Sequence, residues 1–208
     1  MPARLRWLLT RAGAAAVLMA AASQVHAHTA AKEVGDFYAG FLHPLTALEH
    51  VLSFVAFGLL IGQQGHKASA AVLVFSLMLM LGAAVALWVP AIPYVGLANI
   101  FSAVLLGGLI AAAWPLPVLV TQGLAVVFGL SHGLANGSAI TSAIRPYLFI
   151  PGIGLAGLVV AAWGIILTDF VLRQKAGWMR IALRVAGSWI AAIGILVLAT
   201  SASTLSRA

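Results

Sequence analysis

The sequence predicts an all-α protein: a polytopic membrane helix bundle of about six transmembrane helices that follows a cleavable signal peptide. Of the 208 residues, 63% are hydrophobic and only 7% are charged, whereas about a quarter of the residues of a soluble domain carry a charge. The apolar residues form runs of about 20, which is long enough to cross the hydrocarbon core of a bilayer. The N-terminal segment joins a basic start to a short apolar run, as secretory signals do.

Residues 1–27 have the three parts of a signal peptide. Three arginines within the first eleven residues precede an apolar stretch of small residues, and Val25-His26-Ala27 has the small-x-Ala form of a cleavage site. The alternative is an uncleaved first helix. Cleavage after Ala27 would leave His28 at the new N-terminus, where its amine and imidazole could chelate one metal ion. We therefore expect a signal peptide over 1–27 and a single transmembrane domain over 28–208.

Six apolar segments qualify as membrane spans, and prolines mark most of the boundaries between them, because proline lacks the N–H that a helix interior needs. Pro90 and Pro93 separate the second and third segments, and Pro146 and Pro151 are expected to bracket the connection from the fourth to the fifth. The predicted spans, in order, are residues 41–62, 70–89, 94–114, 117–138, 152–172 and 181–199.

Two features predict the same orientation for these spans. A cleaved signal leaves the mature N-terminus in the periplasm, and loops rich in lysine and arginine stay in the cytoplasm. The loop between the first and second spans contains Lys67. The loop between the fifth and sixth spans, with the adjoining helix turn, contains Arg173, Lys175, Arg180 and Arg184. We expect a multi-pass protein of the bacterial inner membrane with both mature termini in the periplasm.

Composition also excludes several classes of function. The chain has no cysteine, so it forms neither a disulfide nor a thiolate metal site. Its formal charge of +7 reflects topology signals, because no basic stripe with interleaved aromatics lies outside the spans; nucleic acid is therefore not an expected partner. No phosphate-binding P-loop motif is present, which argues against ATP drive by this chain alone. The expected partners are the lipid bilayer and a small ion, and a homo-oligomer is compatible with the sequence.

Polar residues inside the spans are the candidate functional residues, because charge in the hydrocarbon is costly. Counting 1.5 Å per residue from the periplasmic ends places Glu49, His50 and His132 at nearly the same depth, with His43 nearer the surface and Asn136 between. Three imidazoles and one carboxylate suit a borderline divalent cation such as nickel, zinc, cobalt or copper. The alternative is a buried hydrogen-bond network that holds no metal.

Convergence of these residues requires the first and fourth spans to meet. In a straight helix His43 and His50 share a face, and so do His132 and Asn136. The fourth span carries three glycines at four-residue spacing and the first carries two; such stripes allow close helix approach. They are Gly129, Gly133 and Gly137 in the fourth span, and Gly58 and Gly62 in the first. We expect the two spans to pack through these stripes.

Three further polar residues have simpler interpretations. Asp169 and Arg173 have the i,i+4 spacing of a surface ion pair. His66 lies beside Lys67 in a predicted loop, where a solvated histidine is ordinary. Asn99 is expected to hydrogen-bond a neighbouring helix, and is kept as a secondary candidate for the site.

The histidine motifs resemble those of the HupE/UreJ family. Its first motif is His, five residues, Asp-His, and here it reads as His43, five residues, Glu49-His50. Its second motif, Phe-His-Gly-x-Ala-His-Gly-x-Glu, is matched at His132, Gly133, Ala135 and Gly137. Asn136 stands where the family has its second histidine, and Ala139 stands where it has glutamate. The resemblance, which also covers the signal peptide and the six-helix length, implies a hydrogenase or urease accessory membrane protein that acts as a nickel permease.

The sequence thus predicts a permease for a divalent transition-metal cation, nickel or cobalt first, that holds no permanent cofactor and is not an enzyme. The metal site would lie in the periplasmic half. Two other functions stay open: a non-transporting accessory membrane subunit, and a metal-dependent intramembrane hydrolase with zinc-activated water. The predicted ligands are His43, Glu49, His50 and His132, with Asn136, Asn99 and His28 as secondary candidates.

Overall fold

The structure, a computed structural model, describes residues 27–89, 92–174 and 176–205; for residues 27–34 and 202–205 it describes the backbone only. Almost all of the predicted signal peptide therefore lies outside the described residues. Within these ranges every regular element is helical, which confirms the all-α prediction. The α-helices are α1 (Ala27–Leu42), α2 (Leu48–Gln64), α3 (Ala70–Val85), α4 (Val95–Ala112), α5 (Val118–Gly137), α6 (Pro146–Arg173) and α7 (Trp178–Leu205).

Five helices in the described part of the chain are long and apolar enough to cross a membrane, and a bent pair of helices makes a sixth span if the two cross as one unit. Residues Gly35–Leu45 and Leu48–Gln64 meet at an angle of 80°. The bend follows the 3-10 turn His43–Leu45. Ala47, two residues after this turn, adopts an extended conformation (φ −107°, ψ 123°). The prediction of one straight helix over residues 41–62 is therefore wrong, and so is the inference that His43 and His50 share a helical face.

The remaining spans agree with the predicted order and differ mainly at their ends. Pro146 begins α6, as its fixed φ favours. Pro151, expected in the loop, lies inside α6 instead. Its missing N–H costs one hydrogen bond with the carbonyl of Tyr147, in the first turn of α6, and Tyr147 is exposed. One lost bond so close to a helix end does not stop a helix that is otherwise well packed.

Five helices close a ring in which each packs against the next, in the order α2, α4, α5, α3, α6 and back to α2. Helix α7 packs outside the ring against α4, and α1 lies across α6. We call the end at which α2 begins the histidine end. The opposite end, which carries Lys67, Arg173, Arg180 and Arg184, is called the basic end. Because α2 and α5 lie across the ring from each other, only their side chains meet in its interior.

The glycine stripes bring helices close, but not the pair expected from the sequence. A Cβ placed on Gly133 would lie 2.9 Å from the Cα of Gly82, so the stripe of α5 contacts α3. Gly58 likewise approaches Ala161 and Gly164 of α6. The prediction that the first and fourth spans pack through these stripes is wrong. Spacing reveals that a helix approaches closely, whereas the identity of that helix depends on the whole bundle.

Candidate functional site

The imidazoles of His50 and His132 meet inside the ring. His50 lies in the first turn of α2 and His132 near the end of α5, and their Nδ1 atoms are 2.7 Å apart. His132 is fully buried and His50 is 5% exposed. Both residues were placed at one depth by counting along the sequence. Their contact crosses the ring even though the backbones of α2 and α5 do not pack together.

The hydrogen bonds around this pair define the position of each proton. Asn136 is held by its Nδ2 atom, which donates to the His132 carbonyl at 2.8 Å and also faces His50 Nε2 at 3.2 Å. His50 Nε2 therefore accepts, and its Nδ1–H donates to His132 Nδ1. His132 then carries its proton on Nε2, which donates to Ser102 Oγ at 2.9 Å. Both rings are thus neutral in this arrangement.

A belt of hydroxyl and amide groups surrounds His132 on the α4 side. Ser102 Oγ lies 2.6 Å from the Asn99 carbonyl oxygen and 2.8 Å from Ser53 Oγ. Ser131 donates to Asn99 Oδ1 at 2.6 Å. Asn99 thus hydrogen-bonds neighbouring helices, as the sequence predicted. The three serines were missed, although Ser53 and Ser102 follow His50 and Asn99 at i+3 and Ser131 adjoins His132.

Two polar atoms of the cluster are buried without a hydrogen-bond partner in the described part of the chain. They are Oδ1 of Asn136 and Nδ2 of Asn99. A buried polar group left unpaired costs about 1–3 kcal/mol. Exceptions of this kind in a well-paired interior often mark a functional position. The Asn136 oxygen adjoins the two imidazoles and is an acceptor, so the unsatisfied atom next to the pair is one that favours a positive charge.

Phenylalanine side chains fill the interior of the helix ring on the basic-end side of the histidines. The ring centroid of Phe54 lies 5.4 Å from that of His132 and 5.2 Å from that of Phe75, and Phe57 stacks on Phe75 at 4.6 Å. All three phenylalanines are at most 1% exposed. We call Phe54, Phe57 and Phe75 the aromatic floor. It separates the histidine pair from the basic end.

The other predicted ligands lie apart from the pair. Among the described residues no three histidine, aspartate or glutamate side chains lie close enough to hold one metal ion. Glu49 is half-buried in the first turn of α2. His43 lies beyond the bend, with its ring 5.7 Å from that of Phe149. The side chain of His28 is outside the described residues. The metal site itself therefore stays a prediction.

Two ion pairs lie outside the ring interior. Arg173 donates to Asp169 at 2.7 Å, and both are exposed, which confirms the predicted i,i+4 pair. Arg145 donates to Asp36 at 2.5 Å and joins the bent first span to the start of α6. This hydrogen bond raises the pKa of the Arg145 guanidinium. No pattern in the sequence indicates this pair, because the two residues are 109 positions apart.

Comparisons with known proteins find the family whose motifs the histidine motifs resemble. The family model described as "HupE / UreJ protein" matches residues 16–197. The chain is 28% identical over 181 residues to "Protein HupE" of Rhizobium leguminosarum bv. viciae, an alignment that covers 86% of this chain and 93% of that protein. No solved structure matches the chain. Because the family model covers most of the sequence, this multi-pass membrane protein belongs to the HupE/UreJ family.

Proposed function

We propose that the protein is an inner-membrane permease for a divalent transition-metal cation, with nickel as the first candidate and cobalt as the second. The observation that carries the proposal is the neutral His50–His132 pair, buried in a membrane bundle next to an unpaired amide oxygen. Imidazole nitrogens are good ligands for nickel and its neighbours in the first transition row. The family is associated with nickel uptake for hydrogenase and urease, which agrees with this chemistry.

The spacing of the two nitrogens favours a metal with right-angled coordination. With metal–nitrogen bonds of about 2.1 Å, two ligands at 90° lie about 3.0 Å apart, and two at the tetrahedral angle lie about 3.4 Å apart. The Nδ1 atoms are 2.7 Å apart as hydrogen-bond partners, so the rings must separate before a metal binds in either geometry, and a right-angled site needs the smaller movement. Nickel and copper accept tetragonal geometry, whereas structural zinc is almost always tetrahedral. We therefore expect nickel to bind more tightly than zinc.

Metal binding would also reverse the tautomer of His50. A metal on Nδ1 requires the proton to lie on Nε2, where it would face the Nδ2 atom of Asn136, itself a donor. For its unpaired Oδ1 to accept from His50 Nε2–H, the Asn136 side chain would have to turn away from the His132 carbonyl and give up the hydrogen bond that Nδ2 donates there. In this proposal Asn136 does not bind the metal directly. It orients His50 through a hydrogen bond, which is the role that the partners of metal-bound histidines typically have.

The remaining candidate residues would contact the ion before it reaches the histidine pair. In this proposal the histidine end faces the periplasm, as the signal peptide and the basic loops predict. His43 on the bent segment captures the ion, and Glu49 guides it to His50 and His132. Asn99 contributes by holding Ser53, Ser102 and Ser131 around His132 through hydrogen bonds. Release toward the basic end then requires the aromatic floor to move, because its three phenylalanine rings are buried and in contact with one another.

Nickel binding tests the site. Purified full-length protein in detergent would be titrated with nickel, cobalt, zinc and copper by calorimetry, beside the double variant His50→Ala/His132→Ala and the control His66→Ala, whose imidazole is exposed at the basic end. We expect saturable nickel binding that the double variant loses and the control keeps. Binding that the double variant retains would refute the site.

A non-transporting accessory subunit is the second candidate function. It is favoured by one observation: the histidine, asparagine and serine groups already form a hydrogen-bonded network without a metal. In that case the cluster joins α2, α4 and α5, and no cation would bind at micromolar concentration. The same titration therefore separates the two functions, since an absence of binding by every ion would favour the subunit.

A further inference from the structure

A cavity of about 400 Å3 opens at the basic end, away from the histidine pair. The ends of α2, α4 and α6 and the start of α7 enclose it, and its polar lining includes Gln63, Gln64, Arg180 and Arg184. Hydrogen bonds fix its walls. Arg184 Nε donates to the Ala111 carbonyl at 2.7 Å, and Gln64 bonds to the backbone of Trp114 and Leu116 within the loop after α4. The cavity is thus a formed feature of the bundle.

The charge of this cavity is uncompensated. The whole sequence has four carboxylate residues; two of them, Asp36 and Asp169, pair with other arginines. Glu49 lies at the opposite end of α2, and the side chain of the fourth, Glu33, is outside the described residues. Neither Arg180 nor Arg184 has an acidic partner among the described residues. A cavity with two guanidinium groups and no carboxylate attracts an anion.

An unpaired acceptor belongs to Gln63, which lines the same cavity. Because this oxygen is buried, a ligand in the cavity reaches it only when the Gln63 side chain turns. Gln63 donates through Nε2 to the Ile110 carbonyl at 3.2 Å, while its Oε1 atom is buried and has no partner among the described residues. A phosphate group alone offers no donor to this oxygen at neutral pH. A head group that carries both a phosphate and a hydroxyl would satisfy the arginines and Gln63 together.

A separate apolar groove of about 480 Å3 lies between α2 and α6 on the outer side of the bundle. On α2 its lining residues Val55 and Leu59 precede Gln63 at four-residue spacing, so they share one helix face. From Gln63 to Val55 the stripe rises about 12 Å, which is most of the roughly 15 Å that one leaflet contributes to the hydrocarbon core. The groove has the length and polarity that an acyl chain needs.

We propose that the basic end binds one anionic phospholipid, of the phosphatidylglycerol class. Its phosphate lies between Arg180 and Arg184, its head-group hydroxyl donates to Gln63 Oε1, and one acyl chain fills the groove along Val55 and Leu59. Basic cavities between transmembrane helices commonly bind anionic head groups. This site is independent of the metal site, since the aromatic floor and most of the length of α2 separate the two.

Native mass spectrometry of the full-length protein in detergent tests the proposal. Titrations with phosphatidylglycerol and with phosphatidylcholine of the same acyl chains would be compared in wild type, in Arg180→Gln/Arg184→Gln and in the control Lys67→Gln/Arg173→Gln. The control removes the same charge at the same end of the bundle, from residues outside the cavity. Glycerol phosphate would be added as a competitor, because it carries the head group without the chains.

We expect wild type to prefer phosphatidylglycerol, and the Arg180/Arg184 variant to bind it roughly tenfold more weakly while the control keeps wild-type affinity. Arg180→Lys/Arg184→Lys should retain part of the preference. Equal binding of the two lipids by wild type would overturn the proposal, and that comparison needs no variant. Equal losses in both double variants would also overturn it, as would displacement of the lipid by glycerol phosphate, which would indicate a site for free phosphates.

Discussion

Gly133 offers the sharpest test of how the bundle positions its histidines. It adjoins His132 on α5, and a Cβ added there would lie 2.3 Å from the Leu79 carbonyl oxygen and 2.9 Å from the Cα of Gly82. Both neighbours are backbone atoms, which cannot rotate away as a side chain can. Because ordinary carbon contacts are about 3.5 Å or longer, α3 and α5 would have to separate by about 1 Å.

Overpacking of this kind costs about 1–3 kcal/mol. In a protein of 150–250 residues, 1 kcal/mol corresponds to about 2–4 °C in melting temperature. Gly133→Ala should therefore melt about 2–12 °C below the same substitution at an uncrowded glycine of α5, which has the same gain in helix propensity. The assay is thermal unfolding of the purified protein in detergent, followed by intrinsic tryptophan fluorescence. The same displacement would move His132 relative to His50, so nickel binding should weaken as well.

Gly123→Ala is the matched control. Gly123 lies on the same helix, and nothing within 4 Å would meet its added Cβ. Alanine favours a helix over glycine by about 1 kcal/mol, so this variant should melt at the wild-type temperature or slightly above it. If the two variants melted alike, the close approach of α3 and α5 at Gly133 would be refuted.

Three other predictions follow from the site. Ser102→Ala removes the acceptor of His132 Nε2–H and should lower the free energy of unfolding by about 1–3 kcal/mol, whereas Ser138→Ala, at an exposed helix end, should change it little; urea titration would compare them. Phe54→Ala opens the aromatic floor and should lower the free energy of unfolding by about 3–5 kcal/mol and let ions leak faster across proteoliposome membranes. Phe101→Ala, at a 52% exposed position, is the control, and equal leak in the two variants would contradict the role of the floor. Asn136→His restores an imidazole beside the pair and should tighten nickel binding by roughly tenfold or more, and Asn136→Leu should weaken it, as calorimetry would show.

The sequence predicted the pairing of His50 with His132 because depth in a membrane is a one-dimensional quantity. A fixed rise per residue and alternating span directions place both imidazoles at one level without knowledge of the packing. Asn99 and Asn136 entered the candidate site by the same reasoning. The serines around His132 were not predicted, since serine is common in transmembrane helices and only its hydrogen-bond partners reveal its role.

The helix neighbours and the bend could not be predicted in this way. Glycine stripes indicate close approach, yet α5 could use its stripe against any helix of matching shape. The bend at Ala47 follows a His-Pro pair, and a proline near a helix start is compatible with a straight helix as well. Beyond the bend, α1 packs closely across α6, where a Cβ on Gly152 would lie 2.7 Å from the Phe41 nitrogen.

Nickel uptake into proteoliposomes tests the proposed permease function most directly. Wild type, His50→Ala/His132→Ala and His66→Ala would be reconstituted at equal density, and nickel entering the lumen would be followed with an enclosed indicator dye. The proposal predicts saturable uptake by wild type and by His66→Ala, and none above empty vesicles for the double variant. Uptake by the double variant at the wild-type rate, or none by wild type, would contradict it.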